Sequence, residues 1–246
     1  MKTLIVTGTD TGVGKTWIST LLIRGFHRQG YQTGAYKPVC SGAEFRTGEN
    51  EPFWEDADRL RAACSGSPPP SLVCPQRFIA PLAPPEAARC EGRTVDAEQL
   101  KSGLEAWRGQ AEIVVVEGAG GFLSPLTDNQ TLASLAVDWQ APIFVVAANR
   151  LGVVNHTLLT IEAIRYRKLK VAGIVLNDVS PDNSGSDGKP VDLSRRSNLS
   201  QLQRWLPDIS IFTCDWKGEV LKNCSTGQEN EPVQMLTDVL YSDELP

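Results

Sequence analysis

Histidine is nearly missing from this chain of 246 residues, which holds only His27 and His156. Its six cysteines, Cys40, Cys64, Cys74, Cys90, Cys214 and Cys224, are widely spaced and include no CxxC pair. Such a set suggests neither a zinc centre nor a disulfide framework, and reduced, mostly buried thiols are expected. Cys40, in "KPVCSG", has no histidine near it in sequence to act as a base, so it reads as a small core residue. No Ser-His-Asp or Cys-His arrangement is evident. Basic charge is also in deficit: 24 Lys and Arg stand against 29 Asp and Glu, a net charge of -5. A general nucleic-acid or anionic-membrane role would show a concentrated basic face, and neither partner is expected. No apolar run approaches the length that spans a bilayer. The start, "MKTLIVTGTD", runs from a short apolar stretch into a glycine-rich loop rather than a cleavage site, and a soluble cytoplasmic protein is expected. There is no internal repeat.

What is present is an α/β pattern. With 41% hydrophobic residues, a chain of this length can bury one sizeable core, and a single domain over 1–246 is expected. Continuous β-branched runs occur at 3–7, 113–117, 143–148, 171–177 and 209–212, with a weaker strand candidate at 31–39. Runs of this kind indicate strands covered on both faces, hence a mostly parallel sheet between helices. Trp17, Ile18, Leu21, Leu22 and Phe26 fall at helical spacing over 17–29. Segments 65–71 and 180–198 read as loops, the latter as a probable surface insertion. The polar, acidic stretch 225–246 reads as a tail that frays.

"GTDTGVGKT", residues 8–16, joins the first strand to that helix. In such a loop inward-facing backbone N–H groups and the positive helix N-terminus hold an anion. Lys15 can then reach the β- and γ-phosphates of a nucleotide while the Thr16 hydroxyl ligates Mg²⁺. The strict phosphate-loop motif leaves four residues between its first glycine and the Gly-Lys pair. Gly8 to Gly14 leaves five, with Thr9 in the strict position, which marks a variant subgroup. Glu117 ends the buried run "IVVVE" and is followed by glycines that let a ligand approach the backbone, a placement suited to Mg²⁺. Lys37 closes another strand candidate; alone it would read as a solvated lysine, but beside a phosphate loop it is a candidate transition-state cation.

"GTDTGVGKT", "YKPVCSG", "DADRL", "VEGAGG" and "LGVVNHTLLT" stand in the order and spacing of the dethiobiotin synthetase family, which this chain resembles from residue 1 to about 179. The resemblance implies a P-loop α/β sheet, a homodimer, and 7,8-diaminopelargonic acid, CO2 and MgATP as substrates. It implies that Lys15 and Lys37 stabilise the transferring phosphoryl group, that Gly12, Val13, Gly14, Lys15, Thr16 and Trp17 wrap the nucleotide, and that Thr16, Asp56 and Glu117 surround Mg²⁺. The family pattern selects Asp56 from the acidic cluster "EDADRL", where a solvated helix start is the alternative. The resemblance also implies that Gly118, Ala119 and Gly120 line both ligands. Thr11, Lys37, Ser41 and Gly118 resemble the part that holds the diamine. Asn155 matches a residue contributed by the partner subunit, although capping of the following helix is an equally sensible reading. Asn177, with Asp178 beside it, falls where the family reads adenine. Beyond it the resemblance fails: the chain reads "ISIFTCDWKG" at 209–218 where the family has a turn that closes over the purine.

Three competing readings are weaker. Partitioning ATPases of the same superfamily carry a lysine early in the loop, where this chain has Asp10. Amidotransferase-type synthetases need a glutaminase domain for which the chain has no room. A catalytically dead nucleotide-binding regulator is opposed by Lys15, Lys37 and Glu117.

Overall fold

In the computed structural model, residues 1–45, 48, 51–181, 192–224 and 231–242 are described. The first strand, β1 (Lys2–Gly8), buries Leu4, Ile5 and Val6 in succession without exposed surface, as a strand covered on both faces must. It lies in the interior of a seven-stranded sheet with β2 (Thr33–Tyr36), β3 (Ile113–Gly121), β4 (Ile143–Ala148), β5 (Val171–Asn177), β6 (Ile211–Cys214) and β7 (Lys222–Asn223). The order is β7-β6-β5-β4-β1-β3-β2. All neighbours are parallel except β6 and β7, whose antiparallel pairing at the edge the sequence did not announce.

Helices α1 (Lys15–Arg28), α2 (Glu55–Ala63), α3 (Leu132–Trp139), α4 (Val153–Tyr166), α5 (Asn198–Trp205) and α6 (Glu231–Tyr241) accompany the sheet. The inner face of α1 buries Ile18, Leu22, Ile23 and Phe26. Because β1 and β3 are parallel neighbours, the loops that follow them meet at the carboxyl edge, where open α/β sheets bind ligands. The register places Val6 of β1 beside Glu117 of β3 and shifts before Gly8 and Gly121, so Glu117 lies directly under the glycine-rich loop.

Several expectations need correction. The strand candidate at 31–39 breaks at Lys37–Pro38: β2 ends at Tyr36, and Val39–Ser41 pairs in parallel with Gln76–Phe78 in a separate two-stranded sheet. Pro38 cannot donate to a ladder, which accounts for the break. The last strand of the run 209–212 covers Ile211–Cys214 instead. A short helix, Pro70–Val73, begins inside the expected loop 65–71, with proline at its first position. The tail expected to fray from 225 carries α6, which buries Leu236 and Leu240 and packs Val233 against Gly25 of α1; residues 225–230 and 243–246 lie outside the described residues. Of the expected insertion, 182–191 lies outside the described residues, while Leu193–Arg196 forms a 3₁₀ turn and Asn198 is buried. Among the described residues, no helix is long and apolar enough to cross a membrane.

Candidate active site

The loop between β1 and α1 folds back so tightly that a Cβ on Gly8 would lie 2.7 Å from the Asp10 carbonyl oxygen. Gly14 caps α1 at φ 89°, a left-handed conformation, and a Cβ there would lie 2.2 Å from Asn177 Nδ2. Only glycine fits both positions. Asn177 at the end of β5 braces the loop: its Nδ2 donates to the Val13 carbonyl at 2.9 Å. One N–H of the Asn177 amide is thereby committed to the loop, and its second N–H and its oxygen are left for other partners.

Behind the loop the charged groups converge. Lys37 is 3% exposed, and its Nζ donates to Glu117 Oε1 at 2.6 Å and to Asp56 Oδ2 at 2.9 Å. Glu117 has no exposed surface, whereas the side chain of Asp56, near the start of α2, is 48% exposed. Thr16 Oγ1 donates to Glu117 Oε1 at 2.8 Å, and Ser19 Oγ donates to Glu117 Oε2 at 2.7 Å. Burial opposes the charge on Lys37, but the carboxylates of Glu117 and Asp56 outweigh it and hold the ammonium well above its ordinary range. Asp56 shows the complementary effect: burial would raise its carboxyl, and Lys37 beside it brings it below the usual value.

Lys15 differs. Burial pushes its ammonium down to about 8, and Glu117 only partly offsets this; its Nζ donates to the Asp10 carbonyl at 3.0 Å. Since the unfolded chain keeps this proton to a higher pH, Lys15 adds to folded stability as pH rises from about 8 toward 10.5. Phosphate binding runs the other way, because it needs the charged form. Above about pH 8 a nucleotide must bring a proton with it, so ADP affinity in the presence of a chelator is expected to fall by up to roughly tenfold per pH unit. Calorimetric titration between about pH 7 and about pH 9 measures this. A flat affinity over that range would mean that Lys15 is already charged in the free protein.

A cleft of about 780 Å³ opens above these groups. Thr11, Gly12, Gly14, Lys15, Thr16, Trp17, Lys37, Ser41, Asp56, Gly118, Ala119 and Gly120, all singled out from the sequence, line it together. Val13 and Glu117 are buried beneath its floor. Asp178 does not line it; that carboxylate pairs with Arg195 at 2.8 Å and accepts from Asn149 Nδ2 at 2.9 Å. Asn155 is exposed in the first turn of α4 and outside the cleft, and the helix is capped by Gly152 at φ 92°, so the capping role is not Asn155's. The Ser41 hydroxyl donates to the Leu82 carbonyl at 2.6 Å and is left as an acceptor.

Sequence reasoning missed part of this wall. Arg59, one turn after Asp56, and the segment 81–84 line the cleft, as does Cys40, which is buried but not purely a core residue. Ser124 accepts from the Gly121 N–H at 2.8 Å and stiffens the glycine loop. Ser19 was legible in principle, because a hydroxyl three residues after Thr16 shares its helix face. The segment 81–84 carries no local signal of its position.

Among the described residues, no cluster of three or more His, Cys, Asp or Glu side chains could hold a metal by itself. The Thr16 hydroxyl and the carboxylates of Asp56 and Glu117 are hard oxygen donors, and the ammonium of Lys37 already stands between the two carboxylates as a cation would. Such a set fits Mg²⁺, which takes one or two carboxylates and completes its shell with phosphate oxygens and water.

Residues 2–208 match the family model described as an AAA domain. ATP-dependent dethiobiotin synthetase BioD of Anaeromyxobacter sp. (strain Fw109-5) is 43% identical over 83% of this chain and 89% of its own length. The protein of the same name from Anaeromyxobacter dehalogenans (strain 2CP-C) is 44% identical over 85% of this chain and 93% of its own length. Among solved structures, the McdA–ATP complex of Cyanothece superimposes with a TM-score of 0.50 at 15% identity, covering 100% of this chain and 98% of that one, a likeness of fold alone. With that identity sustained along most of both chains, and with the loop, Lys37 and Glu117 converging on one cleft, the chain belongs to the ATP-dependent dethiobiotin synthetase family.

Proposed function

We infer that this protein is an ATP-dependent dethiobiotin synthetase, a ligase that closes 7,8-diaminopelargonic acid and CO2 into a cyclic urea. The observation that carries the reading is the convergence of Lys15, Lys37, Thr16, Asp56 and Glu117 at one cleft of a chain with synthetase relatives. One amine of the substrate adds CO2 and loses a proton to give a carbamate. A carbamate oxygen attacks the γ-phosphorus of ATP, ADP leaves, and a carbamic-phosphoric anhydride remains. The second amine attacks its carbonyl carbon and loses a proton, the C–O bond to phosphate breaks, and the cyclic urea and phosphate are released. No side-chain nucleophile takes part. The chain's contribution is positioning and charge: the loop amides and Lys15 hold the phosphates, and Lys37 meets the charge that develops on the transferred group. Thr16, Asp56 and Glu117 would hold Mg²⁺, which when bound neutralises phosphate charge. Thr11, Ser41 and the 118–120 backbone are assigned to the diamine.

We further assign a homodimer in which Asn155 of the partner subunit completes the site, and a single domain in a soluble, cytoplasmic protein. Incubation with diaminopelargonic acid, ¹³C-bicarbonate and MgATP is expected to yield labelled cyclic urea by mass spectrometry. Its absence with a folded protein that binds ADP would reject the synthetase reading.

Selectivity for the base is expected to be weak. One N–H of the Asn177 amide is tied to Val13, and the usual purine turn is replaced by "TCDWKG", whose Gly218 carbonyl accepts from Trp17 Nε1 at 2.8 Å. One or two missing hydrogen bonds to the base leave GTP and CTP within roughly tenfold of ATP in kcat/KM. Undetectable turnover with both would show that this segment builds a selective pocket.

A further inference from the structure

Ser19 and Thr16 lie three residues apart on α1, on the face turned toward the carboxyl end of β3, and both hydroxyls reach the same carboxylate. Its two oxygens keep different company. Oε1 accepts from Thr16 Oγ1 and Lys37 Nζ, the groups that face the cleft, while Oε2 accepts from Ser19 Oγ at 2.7 Å. Ser19 and Glu117 are both without exposed surface, so water does not stand in for either.

The next residue shows what a helical hydroxyl otherwise does. Thr20 Oγ1 donates back to the Thr16 carbonyl one turn earlier, at 2.7 Å. Ser19 instead points across to the sheet. A carboxylate torsion is broad and roughly two-fold, so a glutamate held only at Oε1 could turn its plane. Moreover Lys37 is shared between Glu117 and Asp56 and is assigned to the phosphoryl group during turnover; a donor that leaves Glu117 at that moment cannot fix it.

We propose that Ser19 is a positioning residue: its hydroxyl locks the Glu117 carboxylate through Oε2, so that Oε1 stays directed at Thr16 and the divalent cation. This rests on reading Thr16 and Glu117 as magnesium ligands. Ser19 itself touches neither metal nor nucleotide, and acts as the outer partners of metal-bound carboxylates do.

The test is calorimetric titration of ADP into the wild-type protein, Ser19→Ala and Thr20→Val, each with saturating Mg²⁺ and with a chelator. Loss of an outer partner is expected to reduce the Mg²⁺ enhancement of ADP affinity by about tenfold in Ser19→Ala. Its metal-free ADP affinity should stay within about twofold, since the loop and Lys15 are intact. Thr20→Val loses a hydroxyl on the same helix without touching Glu117 and keeps the wild-type enhancement. Should Ser19→Ala not fold, Ser19→Cys fills the same space with a weaker donor and is expected to show the same loss. Wild-type enhancement retained in the Ser19 variant, whatever its melting temperature, reduces Ser19 to packing and overturns the proposal alone. A wild-type protein with no Mg²⁺ enhancement at all contradicts the magnesium reading and this proposal with it.

Discussion

Lys37→Ala is expected to lower ring-closure turnover by roughly two to three orders of magnitude, the usual consequence of losing one preorganised charge partner of a transition state. The side chain is almost wholly buried at the end of β2, already ionised by Glu117 and Asp56 and aimed at the space above the phosphate loop. Its removal also disturbs the apo protein. Glu117 retains the hydroxyls of Thr16 and Ser19 but loses its counter-charge in a site without exposure. Breaking a buried pair from one side costs about 3–5 kcal/mol when the remaining charge stays ionised, less if the carboxyl takes up a proton. A lower melting temperature is therefore expected along with the loss of turnover, and the kinetic comparison belongs well below it. ADP affinity should change little, because Lys15 and the loop amides remain. A folded variant that keeps more than half of its turnover would return Lys37 to a merely structural partner of Glu117.

Recovery of activity by mixing two inactive variants is the second large effect expected. If each site joins Lys37 of one subunit to Asn155 of the partner subunit, Lys37→Ala and Asn155→Ala damage different halves of one site. Both sites of either mutant homodimer are then defective, because two-fold symmetry repeats the lesion. In a mixed dimer one site collects both lesions and the other collects neither. Equal amounts, freely exchanged, make about half the dimers mixed and restore roughly a quarter of wild-type sites. Asn155 is exposed in the first turn of α4, away from its own chain's cleft and not the helix cap, which is the position a residue serving a second copy would hold. Activity assayed while subunit exchange is followed by a label gives the answer. Proven exchange without recovery would confine Asn155 to its own subunit.

The parts of the site that could be read in the sequence are those set by local pattern. The run 3–7, the glycines of 8–14 and the helical spacing from Trp17 to Phe26 specify strand, loop and helix in direct succession, and Glu117 ends an unbroken apolar run. What joins them was not readable. Residues 37, 56 and 117 are far apart in the chain, and only the folded sheet puts one ammonium between two carboxylates. Asn177 was legible as a residue at a strand end, but the direction of its amide depends on the close approach of Gly14. The helix α6 escaped because Val233, Leu236 and Leu240 are set among acidic and polar residues, and their periodic face gains meaning only against α1. Cys40 reads as core because it is buried, yet the pairing of Val39–Ser41 with Gln76–Phe78 turns it to the cleft wall.

We infer that ATP cleavage here is coupled to ring closure rather than to a change of shape, and the fold alone, shared with McdA, does not decide between them. Phosphate release in the presence of MgATP and bicarbonate, measured with and without diaminopelargonic acid, bears on it most directly. Water attack on the γ-phosphate would waste ATP, so the coupled enzyme releases phosphate only when the diamine is present, one per cyclic urea formed. Equal phosphate release with and without the diamine, rising instead when a protein partner is added, would make the protein a nucleotide switch and not a synthetase.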